Sequence, residues 1–208
     1  MNITDTQRII ARYNDRLEKH GPGISALASG TEERRKIRFD VLIDIGITPG
    51  SKVLDLGCGL GDFASYLDSK GLDIDYTGVD INPNLIELAK EHHPDKKFIC
   101  ADIQTEDCGK FDYIVSTSCF NLKLENENNY AFISSLLKRC YEISSKGVAI
   151  DFLSKWVDFQ GNPEEAFYYD AGKCFDIAKN ITKRVCLRHD YPLFEFCLYL
   201  YPDFNGWN

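Results

Sequence analysis

From Lys52 onward the chain alternates short apolar runs with segments of helical period. The runs predict strands at 52–56, 75–80, 96–100, 111–116 and 146–152, with helices between them at 61–69, 83–92 and 128–144. Asn82-Pro83 is a strong helix start, an N-cap followed by proline at the first helical position. Ahead of this region, Ile9, Ile10, Tyr13 and Leu17 share one face of a helix over 5–20 that stops at Gly21-Pro22-Gly23. Ser29-x-x-Glu32 reads as a capping box for a second helix through Ile37, Val41, Leu42 and Ile45, ending at Gly46. In the tail, Asp170 to Lys179 reads as a helix. Thr182 to Arg188 and Leu193 to Leu200 read as two strands, joined closely enough by His189-Asp190-Tyr191-Pro192 to be antiparallel. Strict alternation means a doubly wound, mostly parallel α/β sheet, here with a C-terminal antiparallel hairpin and N-terminal cap helices. One domain over 1–208 is expected: a helical cap over 1–46, a ligand-binding core over 47–154, and a substrate-side helix and hairpin over 155–208.

With 208 residues, 44% of them hydrophobic, the chain can bury a full core. No apolar run approaches the ~20 residues that cross a bilayer, and the start Met1-Asn2-Ile3-Thr4-Asp5 has neither the basic nor the apolar region of a secretion signal. A cytoplasmic protein without membrane attachment is expected. The eight cysteines (58, 100, 108, 119, 140, 174, 186, 197) show no Cys-x-x-Cys interval, and most sit in apolar runs, so they read as reduced structural thiols rather than disulfides or metal ligands. The net charge of −8 turns the expectation away from nucleic acid. The basic cluster Arg34-Arg35-Lys36 with Arg38 reads as a solvated helix face.

The chemistry concentrates at Val53-Leu54-Asp55-Leu56-Gly57-Cys58-Gly59-Leu60-Gly61-Asp62-Phe63. Glycines at 57, 59 and 61 let the backbone turn tightly and come close to a ligand at a helix N-terminus. Asp80, 23 residues beyond Gly57 at the end of the second strand, can accept from both hydroxyls of a ribose. A dinucleotide fingerprint has the spacing Gly-x-Gly-x-x-Gly and places pyrophosphate on the helix; here the spacing is Gly-x-Gly-x-Gly, and Asp62 in the first turn would repel a diphosphate. With Asp55 just before the loop, the site suits a cofactor carrying ammonium and sulfonium charges and no phosphate, as S-adenosylmethionine does.

Residues 52 to about 154 resemble the class I S-adenosylmethionine-dependent methyltransferases, a Rossmann-like fold, through the glycine loop, Gly78-Val79-Asp80-Ile81-Asn82-Pro83, Ala101-Asp102-Ile103 and Phe111-Asp112-Tyr113-Ile114-Val115. The resemblance implies that Asp55 and the Gly57, Cys58, Gly59, Gly61 and Asp62 loop hold the methionine end. It implies the ribose for Asp80, an adenine face for Ile81, and the adenine amine and edge for Asp102 and Ile103. Ser116 and Thr117 would then border the transferable methyl, with S-adenosylhomocysteine as product. The N-terminal segment is similar to small bacterial members whose helices close over the cofactor, which gives Tyr13 and Arg38 the methionine carboxylate or an acidic substrate.

A hydroxyl or ammonium acceptor must lose a proton, so a general base is needed. His189, in the tail turn beside Tyr191, is the leading candidate; Tyr168 is a further acceptor-side residue. Cys58 and Cys119 lack the basic partner that would make a thiolate. Ser116-Thr117-Ser118-Cys119-Phe120-Asn121 is not the Asn/Asp-Pro-Pro-Tyr/Phe of enzymes that methylate exocyclic or amide nitrogens, nor is there the Pro-Cys of cytosine C5 enzymes. The expectation is transfer to an O or N atom of a small molecule, such as a sugar or natural-product intermediate, by a monomer or homodimer needing no metal. The alternatives are a catalytically silent, methyltransferase-like partner subunit and, behind it, an NAD-linked oxidoreductase.

Overall fold

The computed structural model describes residues 1–157 and 165–203. Two helices, α1 (Ile3–His20) and α2 (Glu32–Ile43), precede the alternating region. There β1 (Lys52–Leu56), α3 (Asp62–Ser69), β2 (Asp75–Asp80), α4 (Pro83–His92), β3 (Lys97–Cys100), β4 (Phe111–Ser116), α5 (Asn129–Ile143) and β5 (Ser144–Leu153) follow in turn. The described tail holds α6 (Ala171–Lys179), β6 (Arg184–Arg188) and β7 (Glu195–Tyr201). The sheet runs in the order β3-β2-β1-β4-β5-β7-β6, parallel from β3 to β5, with β7 antiparallel to both β5 and β6.

Both faces are buried, which is why the strands read as continuous apolar runs rather than clean alternation. Leu54, Ile114, Val148, Ile150 and Leu198 face a core completed by Phe132, Ile133, Leu136 and Leu137 of α5 and by Ala171, Cys174 and Ala178 of α6. Their neighbours Val53, Tyr113, Val115, Ala149 and Tyr199 face the opposite core, with Phe39 and Leu42 of α2, Phe63 and Leu67 of α3 and Ile86 of α4. Asp112 fastens the lower edge: its carboxylate accepts from the Lys52 amide at 3.1 Å, the Ser145 hydroxyl at 2.9 Å and the Lys146 ammonium at 3.1 Å. As the sequence predicts, Asn82 caps α4, its Oδ1 accepting from the amide of Asn84 at 2.9 Å. The capping box is corrected by two residues. Thr31, not Ser29, caps α2 by accepting from the Arg34 amide at 3.3 Å, because Ala28 and Gly30 hold left-handed backbone and keep Ser29 in the preceding loop. Among the described residues no helix is long and apolar enough to cross a membrane.

Candidate active site

At the end of β1 the chain passes into α3 through Gly57, Gly59 and Gly61, with φ of +75°, +56° and +82°. A Cβ on Gly57 would lie 2.2 Å from Cys119 Sγ, and one on Gly61 would lie 2.8 Å from the His93 ring. The loop can close on its neighbours only without side chains. Four of its amides are occupied: Gly57 and Cys58 donate to the Val79 carbonyl at 2.7 and 3.1 Å, Gly59 to Asp80 Oδ2 at 3.1 Å and Gly61 to the Cys58 carbonyl at 3.0 Å. A nest of free amides is what a diphosphate would need here, and these four are already paired.

Carboxylates surround the loop instead. Asp55 is buried and accepts from the Tyr76 hydroxyl at 2.7 Å; burial pushes its carboxyl up to about 7. Asp80 also accepts from the Asn82 amide at 2.9 Å, and burial raises its carboxyl above the ordinary range. Asp62 pairs with Arg35, which also grips Glu32 at 2.8 Å, and burial again raises the acid. Asp102 accepts from the Gln104 amide at 3.0 Å and from the Met1 amine at 3.2 Å.

These groups line one cavity, part of it open to solvent. Ile81, Asp102 and Ile103 lie on one side, Thr117, Ser118 and Cys119 on another, and Ile9, Tyr13, Leu27 and Ser29 come from the N-terminal segment. Besides Met1 on Asp102, Arg12 pairs with Glu165 at 2.8 Å, and two further side chains hold that segment down. Asp5 accepts from the amides of Glu125 and Asn126, each at 3.0 Å, and Asn14 Oδ1 accepts from the side-chain amides of Asn82 at 3.0 Å and Asn84 at 3.1 Å.

The family described as a methyltransferase domain matches residues 53–142. The Mycobacterium tuberculosis protein named "Putative methyltransferase Rv1506c" is 33% identical over 150 residues, covering 69% of this chain and 89% of that protein. The chain belongs to the class I S-adenosylmethionine-dependent methyltransferases. Other methyltransferases match over shorter spans. A magnesium-protoporphyrin O-methyltransferase of Rhodobacter capsulatus is 36% identical over 114 residues (52% of this chain, 49% of that protein), and a phosphoethanolamine N-methyltransferase of Arabidopsis thaliana is 30% identical over 119 residues (53% and 23%). The same fold is found in the magnesium protoporphyrin IX methyltransferase of Synechocystis solved with bound SAH, at TM-score 0.66 and 16% identity, covering 96% of this chain and all of that one.

In this methyltransferase most of the residues read from sequence as cofactor ligands meet at one cavity. Tyr13, Arg38, Asp55, Gly57, Cys58, Gly59, Asp62, Asp80, Ile81, Asp102, Ile103 and Thr117 line it. Gly61 turns the loop beneath. Ser116 is buried and spends its hydroxyl on the Leu56 carbonyl at 2.6 Å, tying β4 to β1 rather than facing a ligand. Arg38 borders the cavity, but its guanidinium is already engaged by the Ser29 carbonyl and by Glu195 at 3.6 Å. Burial beside Cys119 and Asp80 pushes the Tyr13 hydroxyl up to about 12, so at neutral pH it can donate but not act as a base. The thiols of Cys58 and Cys119 are likewise pushed up by burial and the surrounding acids, and stay protonated.

The three catalytic candidates lie elsewhere among the described residues. His189 packs its ring against Trp156 and Phe196, at centroid distances of 6.1 Å each. Tyr168 and His189 are absent from the cavity lining, as is Tyr191, whose buried hydroxyl has no hydrogen-bond partner among the described residues. Tyr169, not Tyr168, is fully buried, and it donates to the Phe120 carbonyl at 2.9 Å. Sequence reading missed Asp151, whose Oδ1 accepts from the Ser118 amide at 2.7 Å and whose Oδ2 accepts from the Thr117 hydroxyl. Its signal was visible: Val148-Ala149-Ile150-Asp151 places an acid after an apolar strand run, as Tyr76-Thr77-Gly78-Val79-Asp80 does.

Proposed function

We propose that this methyltransferase transfers the methyl group to an O or N atom of a small-molecule acceptor, such as a sugar or natural-product intermediate. One observation carries the reading: Ile9, Tyr13, Leu27 and Ser29 of the N-terminal segment line the same cavity as the glycine loop, so that segment covers part of the ligand chamber and leaves less of an open groove for a polymer. The negative overall charge points the same way. By their names, the relatives from Rhodobacter and Arabidopsis act on small molecules.

The donor set fits S-adenosylmethionine, which when bound supplies an electrophilic methyl on a cationic sulfur. Asp55 would receive the ammonium, Asp80 the ribose hydroxyls, Ile81 and Ile103 the adenine faces, and Asp102 the adenine amine. Arg38 would turn from Glu195 toward the methionine carboxylate. The protein's main contribution is orientation and exclusion of water, which can supply about 7 to 11 kcal/mol. Residues 1–46 act as the cap of a single working unit with 47–154 and 155–208.

The test is incubation with S-adenosylmethionine labelled in the methyl group and a cell extract separated into small-molecule, protein and nucleic-acid fractions. Label is expected in the small-molecule fraction. Label confined to macromolecules overturns the reading, and no transfer by a chain that binds S-adenosylhomocysteine supports a silent partner subunit instead.

A further inference from the structure

Beside the cavity, at the ends of β5 and β7, lies a charge cluster of which the cofactor reading uses only Arg38, leaving its two acids without a role. Asp151 is 2% exposed, Glu195 9% and Arg38 4%, so two carboxylates and one guanidinium are withdrawn from water together. If both acids were ionised the group would carry a net negative charge in a dry setting, a state that burial strongly disfavours. The hydrogen bonds point the same way. Glu195 Oε1 faces Arg38 at 3.6 Å, while the buried Oε2 has no donor among the described residues, and an oxygen in that position is better served by carrying a proton than by a bare charge. The charged and titratable groups around the pair are Arg38 and the exposed Arg34 from α2, Tyr191 from the turn before β7, Cys197 from β7, and Cys119 from the segment after β4.

The cluster is wired to the cavity. Asp151 accepts from the Thr117 hydroxyl and from the Ser118 amide at 2.7 Å, and Thr117, Ser118 and Cys119 form the cavity wall. Ser118 sits at φ +55°, a left-handed conformation uncommon for a residue with a side chain, and the Asp151 contact holds it there. Cys119 is thereby pressed onto Gly57.

We propose that Asp151 and Glu195 form a proton-holding pair that serves the methyl-transfer end of the cavity through Thr117, with Thr117 as the group that touches the acceptor and Asp151 as the residue that positions it and takes up its proton. This rests on the small-molecule O- or N-acceptor reading. During transfer the acceptor's lone pair forms the bond to the methyl carbon and the C–S pair stays on sulfur. The acceptor's proton passes to Thr117 Oγ1 as the hydroxyl's own proton passes to Asp151 Oδ2. Burial raises the Asp151 carboxyl above the ordinary carboxylate range, which makes it a better proton acceptor than an exposed carboxylate, and burial with the neighbouring Asp151 charge lifts Glu195 to about 7.

The experiment needs no acceptor. Dissociation constants for S-adenosylmethionine and S-adenosylhomocysteine are measured by calorimetry from pH 5.5 to 8.5. The two ligands share the ammonium and carboxylate, so their ratio isolates the sulfonium charge. A pair at the methyl end gains negative charge as pH rises, so the preference for the sulfonium over the thioether should grow by about three- to tenfold through neutrality. Asp151→Asn and Glu195→Gln should each flatten that dependence, and Thr117→Ser should keep it. A flat ratio in the wild type, or a slope untouched by both acid variants, overturns the proposal. Failure of either ligand to bind at all instead sinks the cofactor site, and this inference with it.

Discussion

The acids of the cavity differ in what they are free to do. Asp80 has one oxygen on the Gly59 amide and the other on the Asn82 amide, yet lines the cavity, so it is fixed in place to meet a ligand. Asp80→Ala should weaken S-adenosylhomocysteine binding by about 1 to 3 kcal/mol in calorimetry, the scale of losing hydrogen bonds to a charged group. Asp55 behaves differently because its folded carboxyl is raised to about 7, well above its unfolded range. The folded state therefore holds this proton more tightly than the unfolded chain, and the ligand-free protein gains stability from it as pH falls from 8 toward 5. Binding an ammonium requires the opposite, the ionised form, so cofactor binding near neutral pH should release a proton from Asp55. Calorimetry in buffers of different ionisation enthalpy should show that release in the wild type and a smaller one in Asp55→Asn. Both acids stand at legible places in the sequence, at or near a strand end beside the glycines; what the sequence hid was each carboxyl's degree of burial, set by Tyr76 and the sheet around it.

Elements were the most legible scale, because doubly buried strands and amphipathic helices differ in period as well as in length. The predicted strand at 146–152 extends to Ser144–Leu153, and the helix at 128–144 gives up its last residue to that strand, since Ser144 pairs with Phe111. The link between α1 and the core could not be read, because Asp5 meets residues 120 positions away. Asp5 is buried and satisfies two backbone amides in the 125–126 loop, so Asp5→Ala leaves both without their acceptor. That change should cost about 1 to 3 kcal/mol and raise hydrogen exchange across residues 3–20 more than in β1 or β4. Equal protection of α1 in the variant and the parent would show that its other contacts, among them Asn14 with Asn82 and Arg12 with Glu165, hold the cap without Asp5.

At the scale of the whole molecule, ligand and fold stabilise one another. With S-adenosylhomocysteine at 100 times its dissociation constant, urea unfolding should require about 2.7 kcal/mol more than in its absence, and NAD at the same concentration should leave the transition unmoved. All eight cysteines are free, with Cys100 exposed and Cys58, Cys108, Cys140, Cys174 and Cys197 buried. Thiol labelling without reductant should therefore count eight groups after denaturation, with Cys100 reacting first in the native protein. By itself the sequence determined the alternating elements, the parallel sheet with its antiparallel tail, the glycine loop and the acids beside it, since each is written in short-range spacing and period. Only the tertiary structure decided which polar groups are consumed and which remain for chemistry. Ser116 is spent on a carbonyl, Arg38 is drawn to Glu195, His189 is packed between aromatic rings, and Asp151 is joined to Thr117 and Ser118. Those outcomes depend on contacts between residues far apart in the chain, where burial and charge pairing are set by the packed sheet.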